Sequence, residues 1–269
     1  MVFHLPILGY QSTFRHSRCR RFPAVRIYIH LHWKKEAQIL YLKAGSGLAC
    51  EPFLAFNILF FYFVIMKLIL ATNNQHKVEE IRHAIGSAYE LMTLREAGIN
   101  IDIPEPYGTL EENASAKSKT IYELTGLNCF GEDTGLEVMA LNGEPGVKSA
   151  RYAGDEKSFD KNIEKLLDKL KDKTDRTAHF RTVISLLMDG KETQFEGICQ
   201  GKIIYERKGD RGFGYDPVFI PNGSDKSFAE MELAEKDRFS HRAKAVAKLV
   251  TFLSHITGIM NRLESKSEN

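Results

Sequence analysis

Cysteine is scarce and scattered in this 269-residue chain. Cys19, Cys50, Cys129 and Cys199 stand far apart, with neither a Cys-x-x-Cys pair nor a Cys/His cluster. That spacing argues against a disulfide framework or a zinc site and reads as reduced thiols in a cytosolic protein. A Gly-x-x-x-x-Gly-Lys-Ser/Thr loop is also missing, which excludes a Walker-type phosphate loop. So is any surplus of positive charge, since 37 Lys/Arg stand against 35 Asp/Glu; residues 1–65 hold 8 against 2 and leave 29 against 33 downstream. A mildly acidic body without a basic stripe is not a general nucleic-acid binder. Any phosphate it handles belongs to a small molecule held in a pocket.

A membrane-length apolar run is the remaining absence. Residues 53–66 are apolar apart from Asn57, which is too short for the ~20 residues of a spanning helix, and no small-residue cleavage pattern follows. Lys67-Leu68-Ile69-Leu70-Ala71 already reads as the first buried strand of a globular body, so it does not also face lipid. We therefore expect residues 1–65 to be a leader foreign to the body, with translation starting at Met66; a membrane anchor is the alternative. The body is expected over 66–258, with a polar tail at 259–269.

Within the body, Val78, Ile81 and Ile85 share one helical face, closed by Gly86. Thr109 and Glu112 form a capping box ahead of a helix to about Leu124, with Gly126 as its stop. A short strand near Cys129-Phe130 is expected to end in a Glu132-Asp133-Thr134-Gly135 turn. Phe159, Ile163, Leu166, Leu167 and Leu170 recur as one face of a scaffold helix. Alternation from His179 to Met188, the turn Asp189-Gly190 and a second run through Cys199 predict a hairpin, with a third strand at Lys202–Tyr205. A last helix follows Ser240, with Ala243, Val246, Leu249, Val250 and Leu253 inward, and stops near Thr257-Gly258. Terminal helices around a central hairpin imply an α/β protein with a mixed sheet.

Four segments carry candidate chemistry. Thr72-Asn73-Asn74-Gln75-His76-Lys77 joins a strand to a helix N-terminus, where free N–H groups attract anions; an Asn-rich cap with a solvated lysine is the alternative. Carboxylates gather at Glu105, Glu111, Glu112, Glu132 and Asp133. The capping box accounts for Glu112 and an exposed first turn for Glu111, which leaves Glu105 and Asp133 as candidates for a hard cation such as magnesium. Residues 209–217 form a glycine-rich loop with Phe213 and Tyr215, rings able to stack on a base or to sit in the core. Arg242 and Lys244 fall in the first turn of a helix, where the dipole disfavours cations, so a bound anion would offset that cost.

Taken in order, Thr72-Asn73-Asn74 with Lys77, Glu132-Asp133-Thr134-Gly135-Leu136, Gly146-Val147 with Ser149-Ala150-Arg151-Tyr152, Phe213-Gly214-Tyr215-Asp216-Pro217 and Ser240-His241-Arg242 resemble the non-canonical purine nucleoside triphosphate pyrophosphatases, the inosine-triphosphatase-like family, over essentially Met66 to Leu253. The resemblance implies an elongated mixed sheet flanked by helices, two lobes with a central cleft, and a cytoplasmic homodimer. It implies hydrolysis of inosine, deoxyinosine or xanthosine triphosphate to the monophosphate and pyrophosphate. By the same resemblance Thr72, Asn73, Asn74, Gln75, His76 and Lys77 hold phosphates, Glu105 and Asp133 bind Mg2+, and Asp133 is the base toward water. Thr134 touches substrate, while Phe213, Gly214, Tyr215, Asp216, Lys236, His241 and Arg242 enclose the nucleotide. Two departures stand out: Lys148 replaces a ring before Ser149, and Glu132 replaces an Asp of many bacterial members. A Maf-like pyrophosphatase for another nucleotide and a non-catalytic nucleotide-binding module are the competing readings.

Overall fold

The computed structural model describes residues 67–86 and 89–267, with side chains to 256. The expected leader, the apolar run at 53–66, Cys19 and Cys50 lie outside the described residues.

Strand β1 (Lys67–Leu70) buries Leu68, Ile69 and Leu70. The chain turns at Asn74, whose side chain accepts from Lys77 N at 3.3 Å and caps helix α1 (Gln75–Ile85). Val78, Ile81 and Ile85 face inward as their spacing predicts, and Gly86 ends the helix. Strand β2 (Glu90–Thr93) pairs parallel with β1; its four half-exposed residues show no sequence period. Helix α2 (Leu110–Thr125) starts where Thr109 Oγ1 accepts from Glu112 N at 3.2 Å, and it stops at left-handed Gly126.

Strand β3 (Cys129–Val138) is ten residues long. The turn expected at residues 132–135 is therefore corrected: Glu132 and Asp133 lie inside the strand. Two adjacent acids resemble a turn in sequence, but here both are buried against cations. After the short strand β4 (Pro145–Gly146) and helix α3 (Phe159–Lys169), the expected hairpin forms from β5 (Thr177–Met188) and β6 (Lys191–Ile203), turning at Asp189 and Gly190. The separate strand expected at 202–205 is absent. Lys202 and Ile203 finish β6, and its outer neighbour is β7 (Phe219–Pro221). Next come one turn, α4 (Leu233–Lys236), and helix α5 (His241–Ser267). That helix continues through Thr257 and Gly258, where a stop was expected. A lone glycine costs a helix about 1 kcal/mol and does not by itself end it. Within α5 Ala245 is fully buried and Ala243 half-buried.

The sheet order is β2-β1-β3-β5-β6-β7 with β4 beside β3, parallel where β1 meets β2 and β3 and antiparallel elsewhere. This is the expected mixed sheet flanked by helices. The core divides along the long strands. At one end Phe130, Ile184 and Leu186 pack with Leu68, Ile81, Val246 and Leu249. At the other, Leu136, Ala178 and Phe180 pack with Ile163, Leu166 and Phe219. Each buried Leu, Ile or Phe contributes roughly 1.5–3 kcal/mol, and a hydrogen-bonded polar band of Glu132, Thr134 and Thr182 lies between the two ends. The two lobes and the cleft follow from that division.

Candidate active site

The cleft exists because β3 outruns its neighbour. β1 pairs with β3 only at Cys129 and Phe130, and β4 joins the same edge only at Leu136 and Glu137. Over residues 131–135 no described strand covers that edge. Side chains from both faces of β3 can therefore reach one cavity, of about 260 Å3, although successive residues of a strand point opposite ways.

Two glycines set the helices close enough to use it. A Cβ on Gly131 would lie 2.7 Å from Lys117 Cβ and 2.9 Å from Ser118 N, so α2 lies directly on β3. A Cβ on Gly197 would lie 2.6 Å from Ala245 N and nearer still to His241 O, so the start of α5 rests on β6 in the same way. The first contact delivers Lys117 to Asp133, the second Arg242 to Glu132.

On the α2 side, Lys117 Nζ lies 2.9 Å from Asp133 Oδ1, 2.5 Å from Glu105 Oε1 and 2.9 Å from Glu132 O. Arg151 Nη2 holds the other oxygen of Glu105 at 3.0 Å. Burial pushes the Asp133 carboxyl up, and Glu105 adds to this against Lys117 and Lys77. Burial also acts upward on Glu105, but Lys117, Lys77 and Arg151 outweigh it and its pKa falls.

On the other side Glu132, fully buried, accepts from Arg242 Nε at 3.1 Å and Nη2 at 3.0 Å, and from the Thr134 hydroxyl. Its second oxygen faces Lys77 Nζ at 2.6 Å, without the alignment of a hydrogen bond. Glu80 bridges Lys236, at 2.7 Å, and Arg242. Burial would raise Glu80, yet these cations bring it down to about 2. Lys236 also meets Asp216 Oδ2 at 2.6 Å, and Phe213 N donates to the same oxygen at 2.9 Å. His241 is buried with Nδ1 unpartnered; burial and then Arg242 keep its ring neutral at ordinary pH.

Of the residues expected at the site, Thr72, Asn73, Asn74, Lys77, Glu105, Asp133, Thr134, Phe213, Gly214, Tyr215, Asp216, Lys236, His241 and Arg242 all line this cavity. Gln75 and His76 do not; both are exposed in the first turn of α1, and the His76 ring stacks on Phe213. Any phosphate contact from these two is left to their backbone N–H groups. Tyr215 is buried, and its hydroxyl donates to Ser149 O at 2.9 Å, so its ring belongs to the packed wall. The cost of placing Arg242 in a helix first turn is met by Glu80 and Glu132, with no need for the anion expected there. Lys117, Glu80 and Glu132 hold the site together without a role among the sequence expectations. Lys117 and Glu80 lay hidden among many polar helical positions, whereas Glu132 was visible beside Asp133.

Six Lys/Arg and four Asp/Glu line the cavity beside Phe213, a setting for an anionic ligand carrying a flat ring, with buried carboxylates at hand for proton transfer. Fold and site together define an α/β protein whose cleft suits an anionic, ring-bearing ligand such as a nucleotide. More narrowly, the Ham1 family model matches residues 68–252, and the chain belongs to the Ham1 family.

The chain is 51% identical over 189 residues to the dITP/XTP pyrophosphatase of Christiangramia forsetii, covering 70% of this chain and all of that protein. It is 51% identical over 188 residues to the dITP/XTP pyrophosphatase of Porphyromonas gingivalis, covering 70% and 97%. Among solved structures, the Staphylococcus aureus Ham1 protein matches with a TM-score of 0.65 at 40% identity, over 70% of this chain and 98% of that one. The resemblance carried by the five motifs is thereby borne out.

Proposed function

We propose that this chain hydrolyses inosine, deoxyinosine and xanthosine triphosphates to the monophosphate and pyrophosphate. The observation that carries the reading is the meeting of Asp133, Lys77, Arg242 and Phe213 in one cavity. The names of the relatives point the same way. Lys77 and the first-turn N–H groups of α1 face the triphosphate, whose charge the helix dipole also favours. Asp133 takes the proton of the attacking water. Its raised pKa suits a general base, because a carboxylate nearer neutrality is a better proton acceptor. Lys117 orients Asp133 through the 2.9 Å contact and keeps Glu105 beside it.

The donor set also fits magnesium. Glu105 and Asp133 converge on one ammonium, which marks a place that stabilises positive charge. Magnesium typically takes one or two carboxylates with substrate phosphates completing its shell. Glu105 and Asp133 would hold it, and it would supply charge neutralisation on the phosphates.

Selectivity follows from Arg242, a donor with no acceptor capacity, which can pair with a 6-oxo group but not with a 6-amino group. Its four contacts to Glu80, Glu132 and Thr134 fix the guanidinium and leave one of its five N–H donors for a base. A cytoplasmic homodimer is the assembly this reading implies. The test is pyrophosphate release from inosine, xanthosine, adenosine and guanosine triphosphates with magnesium, repeated on Asp133→Asn. We expect the wild type to prefer the inosine and xanthosine substrates over ATP and the variant to lose at least about 100-fold in rate. Preference for ATP would overturn the substrate class, and an active variant the role of Asp133.

A further inference from the structure

Three aromatic rings converge at the mouth of the cleft from three separate elements. Phe213 stands on the glycine-rich loop between Gly212 (φ 73) and Gly214 (φ 63). His76, in the first turn of α1, stacks on it with centroids 5.1 Å apart and planes at 11°. Phe159, the first residue of α3, lies 6.0 Å from Phe213 at 50° and 6.4 Å from His76. The helical spacing placed Phe159 on the scaffold face of α3, and the structure corrects that: the ring is 40% exposed and joins no core cluster. A single exposed phenyl ring is ordinary. This one lines the cleft, meets two other rings, and opens onto the cavity of Arg242, whose guanidinium carbon lies 5.6 Å from the Phe213 centroid.

We propose that Phe159 and Phe213 are the two jaws of a purine clamp, with His76 resting on Phe213 until the base enters. The proposal rests on the nucleotide reading above. A base held between two rings needs about 3.5 Å of contact on each face, hence parallel planes roughly 7 Å apart. Phe159 and Phe213 stand 6.0 Å apart and tilted, near that arrangement and short of it. Phe213 is the jaw that moves, by turning its half-buried ring, because its backbone N–H is tied to Asp216 Oδ2 at 2.9 Å. Phe159 is the fixed jaw, anchored where Ser158 caps α3. Opening exchanges ring-on-ring contacts at the wet rim for ring-on-base contacts.

The faces of a purine are alike whatever its 6-substituent, so the clamp contributes affinity while Arg242 reads the edge. Phe159→Ala is therefore expected to raise KM for inosine and xanthosine triphosphates by the same factor. That factor is about tenfold, or roughly 1.4 kcal/mol, within what one stacked ring contributes to base binding. kcat should stay within about twofold, since the ring acts alike on substrate and transition state. Phe159→Tyr should restore KM. Phe159→Leu, which keeps apolar bulk without a flat face, should not.

Steady-state kinetics on the full chain with magnesium read all of these, and the melting temperature of each variant checks its fold. A KM in both Phe159→Ala and Phe159→Leu equal to that of the wild type overturns the clamp while leaving the enzyme reading intact. A change confined to kcat, or to one base, also overturns it. A wild type that hydrolyses no purine triphosphate removes the nucleotide reading, and the clamp with it.

Discussion

Replacing Glu132 by Gln isolates the charge at the centre of the site with almost no change in shape. The side chain is fully buried, receives Arg242 Nε at 3.1 Å and Nη2 at 3.0 Å, and faces Lys77 Nζ at 2.6 Å. Gln keeps an oxygen for Arg242 but leaves both cations without that countercharge. Breaking a buried ion pair costs about 3–5 kcal/mol, and the retained hydrogen bond puts the expectation at about 3 kcal/mol near neutral pH. For a body of this size that lowers Tm by roughly 6–12 °C.

The pH dependence of this loss has a definite sign. Burial alone would raise the Glu132 pKa, but Arg242 and Lys77 outweigh it and hold the carboxyl well below its usual range. The unfolded chain then binds the extra proton first as the medium is acidified. The contribution of the carboxylate is complete above about pH 4.3 and is lost as pH falls through the lower, folded-state pKa. Urea unfolding should show the same wild-type-to-variant gap at about pH 7 and pH 5.5, and a narrower one near pH 3.5. Equal stabilities at neutral pH, or a gap that widens in acid, would refute the reasoning.

Two further substitutions probe how the helices deliver their cations. Gly197→Ala puts a Cβ against His241 O and Ala245 N; we expect a loss of at least about 1–3 kcal/mol from overpacking, with activity falling as Arg242 is pushed off Glu132, and a variant of wild-type melting temperature and rate would contradict the close approach. Lys117→Met removes the ammonium that opposes the upward push of burial on Asp133, so the acid limb of the pH–rate profile should move to higher pH with at least about a tenfold loss near pH 7; an unmoved limb would show that Lys117 does not tune the base.

Local signals in the sequence are legible where their cause is local. Asn74 and Thr109 are caps because short polar side chains satisfy free N–H groups at helix starts. Asp189-Gly190 turns the hairpin because both residues adopt positive φ. The failures have a different physics. β2 has no periodic pattern, because partial burial beside β1 does not demand one. Residues 132–135 read as a turn because two adjacent acids are poor strand formers, but Lys117, Lys77 and Arg242 neutralise them from three separate helices. Phe159 fits a buried helical face by spacing, yet it is the first residue of α3 and stays exposed while Ile163, Leu166 and Leu170 pack into the core.

From the amino-acid sequence alone came the α/β class, the helix and hairpin positions, and, through five ordered motifs, the residues that gather in the cleft. These depend on contacts within a few positions of one another or on the identity of single side chains. Only the tertiary structure decided that Asp133 and Thr134, on opposite faces of one strand, line a single cavity, since that requires β1 to end early and leave an edge open. It also decided that Arg242 is held by acids 110 and 162 residues away. Such pairings are set by how the sheet and helices pack in space, and no local pattern in the chain records them.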